Sequence, residues 1–342
     1  MKTIKRKTVI ITIVLMIVMK SLNAQDPNFS QFFSSPLNIN PALTANINAD
    51  WRLISNFRDQ WIGPASPYVT GTVSFDTKVM QNKTPDMRET NYLGLGGMLM
   101  FDHAFSGIVK NTYASLNLSY SIKITETEYY TERIGVGFGA IFGDKNIDFS
   151  RVDFEEQFTG FGFNRNLPTG ETALSNMKPY VSASAGLTYS AKTEKTNFDL
   201  GVAAFHLNKP KQTFLKDDNE ILAIRKVAHA NFETFINERA VVNTNAIYQY
   251  QKKASYFSVG GALGYYAGNT AETLVSAGVW YWSENAVVPY VGLGYKKFQF
   301  GVSYDFTISK LNDAARRPNT WEVSLILRGE KKPNGVIPCP WK

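Results

Sequence analysis

From Trp51 onward the sequence is dominated by an alternation of apolar and polar residues. A clear case has apolar side chains on one face, namely Phe298, Phe300, Val302, Tyr304, Phe306 and Ile308, and small or polar ones between them, namely Gln299, Gly301, Ser303, Asp305, Thr307 and Ser309. Period-two alternation predicts a strand whose two faces meet unlike surroundings. About fourteen such segments follow Trp51, each about long enough for a tilted strand to cross a bilayer.

The second face of these segments decides between a membrane barrel and an exported soluble β protein. Here it is consistently small or polar, as expected of a lumen, and aromatic residues lie near segment ends, as interfacial girdles do. The mean hydropathy of −0.20 argues against a helical membrane bundle. Because a sheet in lipid has to close, we predict an antiparallel outer-membrane β-barrel of roughly 14 strands over residues 50–329. An exported soluble β protein is the alternative.

The first 24 residues read as a secretory signal peptide. A basic start, with Lys5, Arg6 and Lys7, precedes the apolar run 9–19 and small residues ending at Ala24. An uncleaved N-terminal anchor is the alternative. Removal of this segment leaves 31 basic and 29 acidic residues of the original 36 and 29. The basic balance is therefore mostly a property of the signal peptide, and we expect no nucleic-acid partner.

Residues 25–49 form a distinct segment between the signal peptide and the first strand. Pro27, Pro36 and Pro41 each lack an amide donor and bias the preceding residue away from helix. We therefore expect residues 26–42 to be extended with turns, neither helical nor part of a central strand. Its apolar side chains need burial: Phe29, Phe32, Phe33, Leu37, Ile39 and Leu43. Two interpretations remain open and compatible, a plug inside the lumen and a docking element for another protein.

Three stretches resemble one family. They are Gln25 to Leu43 (QDPNFSQFFSSPLNINPAL), then Asn56 to Trp61 (NFRDQW) with Pro67, Tyr68, Thr70, Ser74 and Asp76, and lastly Gly201 to Pro210 (GVAAFHLNKP). This pattern is similar to that of the PorP/SprF outer-membrane proteins of Bacteroidetes, which are associated with type IX secretion and gliding motility. The resemblance implies a barrel in the cell outer membrane, without enzymatic activity or cofactor.

The resemblance also implies partners. Besides outer-membrane lipid, these are type IX secretion components (periplasmic ring or translocon) and a secreted cargo, through its C-terminal domain or as an adhesin held at the surface. A core secretion-machinery subunit and a passive diffusion barrel are the alternatives. The candidate partner-binding or plug residues are Gln25, Asp26, Pro27, Phe29, Ser30, Gln31, Phe32, Pro36, Leu37, Asn40, Pro41, Arg58, Gln60 and Trp61.

Three of these candidates have competing interpretations. Arg58, Gln60 and Trp61 lie near the end of the predicted first strand, where they would contact either the N-terminal segment or a periplasmic partner. The alternative is an interfacial Trp anchor with an Arg that satisfies lumen or head-group charge. In the Pro-rich tail 330–342, Cys339 and Trp341 are candidates for a periplasmic docking element, with an inert tail as the alternative.

Catalytic and metal-binding patterns are weak. The chain has three His (His103, His206 and His229) and no HExxH or CxxC motif, so we predict neither catalytic residues nor a metal site. Asp102 and His103, near Ser106, would face opposite ways in a strand, which argues against a catalytic pair. We expect His206 to end a strand and His229 to face the lumen. Acidic residues 217, 218 and 220 are typical of a solvated turn, with calcium binding as the alternative.

Overall fold

The computed structural model describes residues 26–62, 66–80, 91–170, 177–212, 221–268, 272–283, 285–309 and 318–329. The expected signal peptide, Gln25, residues 217, 218 and 220, Cys339 and Trp341 lie outside these ranges. Within them the chain is almost entirely β-structure. The strands are β1 Trp51–Ile62, β2 Tyr68–Val79, β3 Tyr92–Ala104, β4 Val109–Glu126, β5 Tyr130–Ile147, β6 Tyr180–Thr193, β7 Thr196–Phe205, β8 Arg225–Phe235, β9 Ala240–Gln251, β10 Ala254–Ala267, β11 Thr273–Trp282, β12 Ala286–Tyr295, β13 Phe298–Tyr304 with its continuation Phe306–Thr307 after Asp305, and β14 Asn319–Gly329.

These fourteen strands form one closed antiparallel barrel, which confirms the predicted fold class. Each strand pairs with its neighbours in sequence, and the last pairs with the first, from Trp51 opposite Gly329 to Gln60 opposite Thr320. Closure pairs the edge strands with each other, and an apolar environment requires this because unpaired backbone groups are costly there.

The two faces of the barrel wall follow the alternation seen in the sequence. Outward side chains such as Leu116 and Phe138 are 73% and 61% exposed, as residues facing lipid should be in an isolated chain. Inward neighbours such as Ser115, Asn117 and Ser119 are buried. The small, polar face therefore lines the lumen, as predicted. Within the described residues, no helix is long and apolar enough to cross a membrane.

The two ends of the barrel differ in their connections. At one end, which we call the turn end, β1 begins and β14 ends, and the connections other than 80–91 are short, such as 194–195 and 296–297. At the other, the loop end, β5 leads to β6 through residues 148–179 and β7 leads to β8 through residues 206–224.

Short helical turns precede β1, so the expectation of a segment without helix is wrong at these positions. They comprise a 3-10 turn at Phe32–Ser34, a single α-turn at Pro36–Ile39 and a second 3-10 turn at Pro41–Leu43. Pro36 and Pro41 each occupy the first turn of a helix, where the missing amide would have no intrahelical partner. Proline here starts a helix instead of preventing one.

Candidate functional site

Residues 26–49 run through the interior of the barrel from the loop end to the turn end. Asp26 contacts Gln251 at the loop-end terminus of β9, and Ala45 contacts Asp76 near the turn end of β2. Side chains along the path are buried, with Leu37 2% and Asn40 0% exposed. The chain thus crosses the lumen once before it turns back into the wall as β1.

The first fixed point is a buried cluster of charges near the loop end. Glu322 of β14 accepts hydrogen bonds from the backbone amides of Ser30 at 2.7 Å and Gln31 at 2.8 Å. Arg58 of β1 donates to Asp305 at 2.8 Å and to the carbonyl of Asn28 at 3.0 Å.

The same cluster holds side chains of the segment. Ser30 Oγ donates to Asp305 at 2.7 Å, and Gln31 exchanges hydrogen bonds with Ser303 and Ser324. Arg58, 1% exposed, also lies 3.7 Å from Glu322. Two carboxylates face a single arginine in this cluster, and the amides of the segment supply part of the compensation that the buried charges need.

The second fixed point joins Asp26 to β8, to β9 and to His206, the residue that follows β7. Its carboxylate lies 2.8 Å from His206 Nε2 and 3.1 Å from Arg225 Nε, and Gln251 donates to it at 3.2 Å. The other ring nitrogen of His206 lies 2.8 Å from Ser182 Oγ. Burial by itself raises the pKa of Asp26, but Arg225 and His206 outweigh it and hold that pKa well below its ordinary value.

The backbone conformation directly after β7 explains how His206 reaches Asp26. His206 adopts a positive φ of 60°, which turns its ring inward directly after the strand. Asn208 then bonds the edge of β6, accepting from the Ala183 amide at 3.0 Å and donating to the Val181 carbonyl at 2.7 Å. A left-handed residue costs free energy unless its surroundings fix it, and the contacts of His206 with Asp26 and Ser182 do so.

Apolar and small residues shape the middle of the lumen. The ring of Phe33 packs 4.8 Å from Trp280 and 5.6 Å from Tyr290, measured between ring centroids. On the opposite wall, a Cβ at Gly137 would lie 2.2 Å from the backbone of Ala42. Glycine is required at this position because the segment's backbone touches the wall.

Asn40 links the segment to the central wall strands. Its Nδ2 lies 3.0 Å from the Leu187 carbonyl, 3.2 Å from the Val202 carbonyl and 3.0 Å from His229 Nε2, while its Oδ1 accepts from the Ala42 amide at 2.8 Å. The backbone amide of Asn40 donates to the Pro36 carbonyl and ends the α-turn, and its side chain caps the following 3-10 turn. One residue therefore ends one turn and starts the next.

The turn end contains a third fixed point and a cavity. Asp76 accepts from the Ala45 amide at 2.7 Å and forms a two-pronged ion pair with Arg52 at 3.0 and 2.7 Å. Beside it, a cavity of about 370 Å³ is lined by Asn46, Tyr129 and other residues of the turns at this end.

The residues predicted from the sequence divide into two groups. The structure brings Arg58 and the described members of the 25–49 set together in the lumen. Gln60 and Trp61 lie beyond them at the loop end, where Trp61 packs edge-on against Tyr68 at 5.1 Å. β1 starts at the turn end, together with both barrel termini, and carries Arg58, Gln60 and Trp61 to the loop end. A periplasmic contact for these residues stays a prediction.

Sequence reasoning missed the wall residues that hold the segment. Asp305, Glu322, Asp76 and Arg225 are charged residues at inward positions of alternating strands, and this was the available signal. His229 faces the lumen and His206 ends its strand, as predicted. Their contacts with residues 26–40 depend on pairings across nearly 200 positions.

Within the described ranges, no group of three or more His, Cys, Asp and Glu is arranged to hold a metal ion. Asp102 accepts from Thr70 and Asn111, whereas His103 packs near Phe101 at 5.5 Å on the other face. The opposite orientation of Asp102 and His103 is confirmed.

Three solved structures are similar to this chain at low sequence identity. The CymD monoaromatic hydrocarbon channel is 12% identical, with a TM-score of 0.46 over 87% of this chain and 93% of its own. The Pseudomonas putida toluene transporter TodX is 11% identical, with 0.45 over 85% and 92%. CdiB from Acinetobacter baumannii is 9% identical, with 0.42 over 81% and 60%. No curated protein matches this chain.

A family model gives the decisive match. The model of the type IX secretion system membrane protein PorP/SprF matches residues 21–327, which include the N-terminal segment and all but the last two residues of the barrel. With its closed fourteen-stranded fold, the chain is an outer-membrane protein, and it belongs to the PorP/SprF family of type IX secretion system membrane proteins.

Proposed function

We propose that this barrel is a non-enzymatic partner of type IX secretion that assists the export and surface attachment of a cargo such as a gliding adhesin. The observation that carries the proposal is the occupied lumen: residues 26–49 cross it and are fixed at both ends by buried charges. A barrel whose interior is filled by its own chain acts through its ends. A plug is therefore the role that we propose for this segment.

The loop end offers a surface suited to a cargo. Outer-membrane barrels place their longer loops outside the cell and their short turns in the periplasm, so we assign the loop end to the cell surface. There a small hairpin carries Phe161 at its fully exposed tip. It is closed by a bridge between Phe158 and Phe163, with rings 5.2 Å apart, and by a 3.0 Å bond from the Thr159 amide to Gly162.

Hydrogen bonds at its base stabilise this hairpin. The buried Gln157 side chain donates to the Leu167 carbonyl at 3.0 Å, and Arg165 bonds Asp153 at 2.6 Å. Because the hairpin backbone is held by these contacts, little of its conformational entropy is lost when an aromatic side chain at its tip docks. We assign Phe161 as a contact for a folded cargo domain.

A core-machinery role is the second candidate, and the turn-end cavity favours it. Tyr129, 74% exposed, lines the cavity beside Asn46 and would face a periplasmic ring. The two roles use opposite ends of the barrel and are therefore separable.

The test is complementation of a deletion strain with wild type, Phe161→Ser or Tyr129→Ser. The proposal expects loss of surface cargo in the deletion strain, unchanged permeability to small solutes, and a defect with Phe161→Ser but not with Tyr129→Ser. The reverse pattern supports the core-machinery role. Normal cargo display in the deletion strain refutes both, and a stable open pore from wild type in planar bilayers supports a diffusion barrel.

A further inference from the structure

Exposed lysines concentrate on one arc of the loop-end rim. Lys226 lies at the start of β8, Lys252 and Lys253 form the turn between β9 and β10, and Lys209 follows β7. All four are exposed, and none has an ion-pair partner among the described residues.

The strand register places these lysines together. Lys226 pairs with Ala204 of β7 and with Tyr250 of β9, and Tyr250 precedes the Lys252–Lys253 turn by two residues. Since Arg225 is buried and points inward, Lys226 points outward over the wall. The lysines thus lie together on the loop-end rim of β7–β10, and Lys226 lies on the outer face of the wall.

Below the lysines the wall is apolar and indented. The outward residues of the next row toward the membrane centre are Val202, Ala228, Tyr248 and Phe257, and those of the following row include Leu200, Ala230, Ala246 and Val259. Ala228, Ala230 and Ala246 form a low strip between larger neighbours such as Leu200 and Tyr248, which are 50% and 48% exposed. An acyl chain can lie along such a strip.

The surroundings favour a ligand with anionic head groups. Among the described residues at the loop end of β7–β10, Asp26 is the only acidic residue, and its carboxylate is paired with Arg225 inside the lumen. Basic residues at a membrane interface attract anionic head groups. Lysine is a compact point charge that suits phosphate.

We propose that this rim is a binding site for a phosphorylated, acylated saccharide lipid of the outer leaflet. Its phosphates contact Lys226, Lys252 and Lys253, and an acyl chain lies against the alanine strip. The proposal depends on the loop end facing the cell surface but not on any role in secretion.

The test measures binding of bisphosphorylated lipid A to the purified full-length protein by native mass spectrometry in detergent. We expect K226Q/K252Q/K253Q to lower the affinity at least tenfold, and dephosphorylated lipid A to bind wild type at least tenfold more weakly. The matched control is K195Q/R239Q/K297Q, which removes three exposed charges at the turn end and should leave the affinity unchanged.

Phosphatidylglycerol serves as an anionic lipid without sugar. Equal affinity for it overturns the saccharide-lipid assignment, and equal loss in the control variant overturns the rim as the site. No measurable binding of lipid A by wild type also overturns the proposal. If the triple variant does not fold, judged by gel mobility of unheated samples, K252Q/K253Q alters only an exposed turn and should still lower the affinity measurably.

Discussion

Glu322 is the wall residue whose replacement should most directly loosen the N-terminal segment. Its carboxylate, 0% exposed, accepts the amides of Ser30 and Gln31. Hydrogen bonds to a charged group contribute about 1.5–3 kcal/mol each, and loss of the desolvation cost of Glu322 offsets part of that sum. Arg58 keeps its 2.8 Å partner Asp305 after the change. We therefore expect Glu322→Ala to lower the free energy of local opening by about 2–4 kcal/mol.

Hydrogen exchange measures this opening residue by residue. Because 1.4 kcal/mol corresponds to about a tenfold change in an equilibrium, the amides of Ser30 and Gln31 should exchange roughly 30- to 1,000-fold faster in the variant. Wall amides of β4 and β5 should change little, since their ladders do not involve Glu322.

Glu233 provides the matched control. It is a glutamate on an inward position of β8, where its described hydrogen bond is from Asn243 within the wall, at 3.4 Å. Glu233→Ala should leave the exchange of Ser30 and Gln31 unchanged. Equal exchange rates at these two amides in Glu322→Ala and wild type would refute the argument that the carboxylate fixes the segment.

Three further predictions concern the rest of the segment. Gly186→Ala places a Cβ 1.9 Å from Asn40 Oδ1 and should cost about 1–3 kcal/mol of unfolding free energy in micelles, whereas Gly97→Ala, whose nearest contact is 3.5 Å away, should not. Asn40→Ala removes the cap and the wall contacts together, so denaturant unfolding should show a loss of about 2 kcal/mol. Because the pKa of Asp26 is lowered in the folded protein, the stabilisation that its carboxylate provides is complete above its unfolded pKa near 3.9 and is lost as the pH falls further. Amide hydrogen exchange in residues 26–29 should therefore become faster below about pH 4. Asp26→Asn should abolish this pH dependence and leave the exchange of the barrel strands unchanged.

The sequence was most informative where structure is local. Alternation along a strand fixes which side chains share a face, so the lumen positions of Ser303, Asp305 and His229 were predictable from spacing alone. The helical turns at Pro36 and Pro41 were not predictable in this way. A proline that begins a helix and a proline that prevents one differ only in the conformation of the residues that follow.

The alternation of residues was enough to predict a closed sheet with an apolar outside, and the apolar residues before Trp51 were enough to predict their own burial. The direction in which that segment crosses the lumen, and the wall residues that bind it, follow only from the folded barrel. Asp26 and Gln251 are 225 positions apart and meet only because ring closure and strand stagger bring the two together. Such pairings depend on the register of all strands at once, whereas the pattern of faces depends on each strand alone.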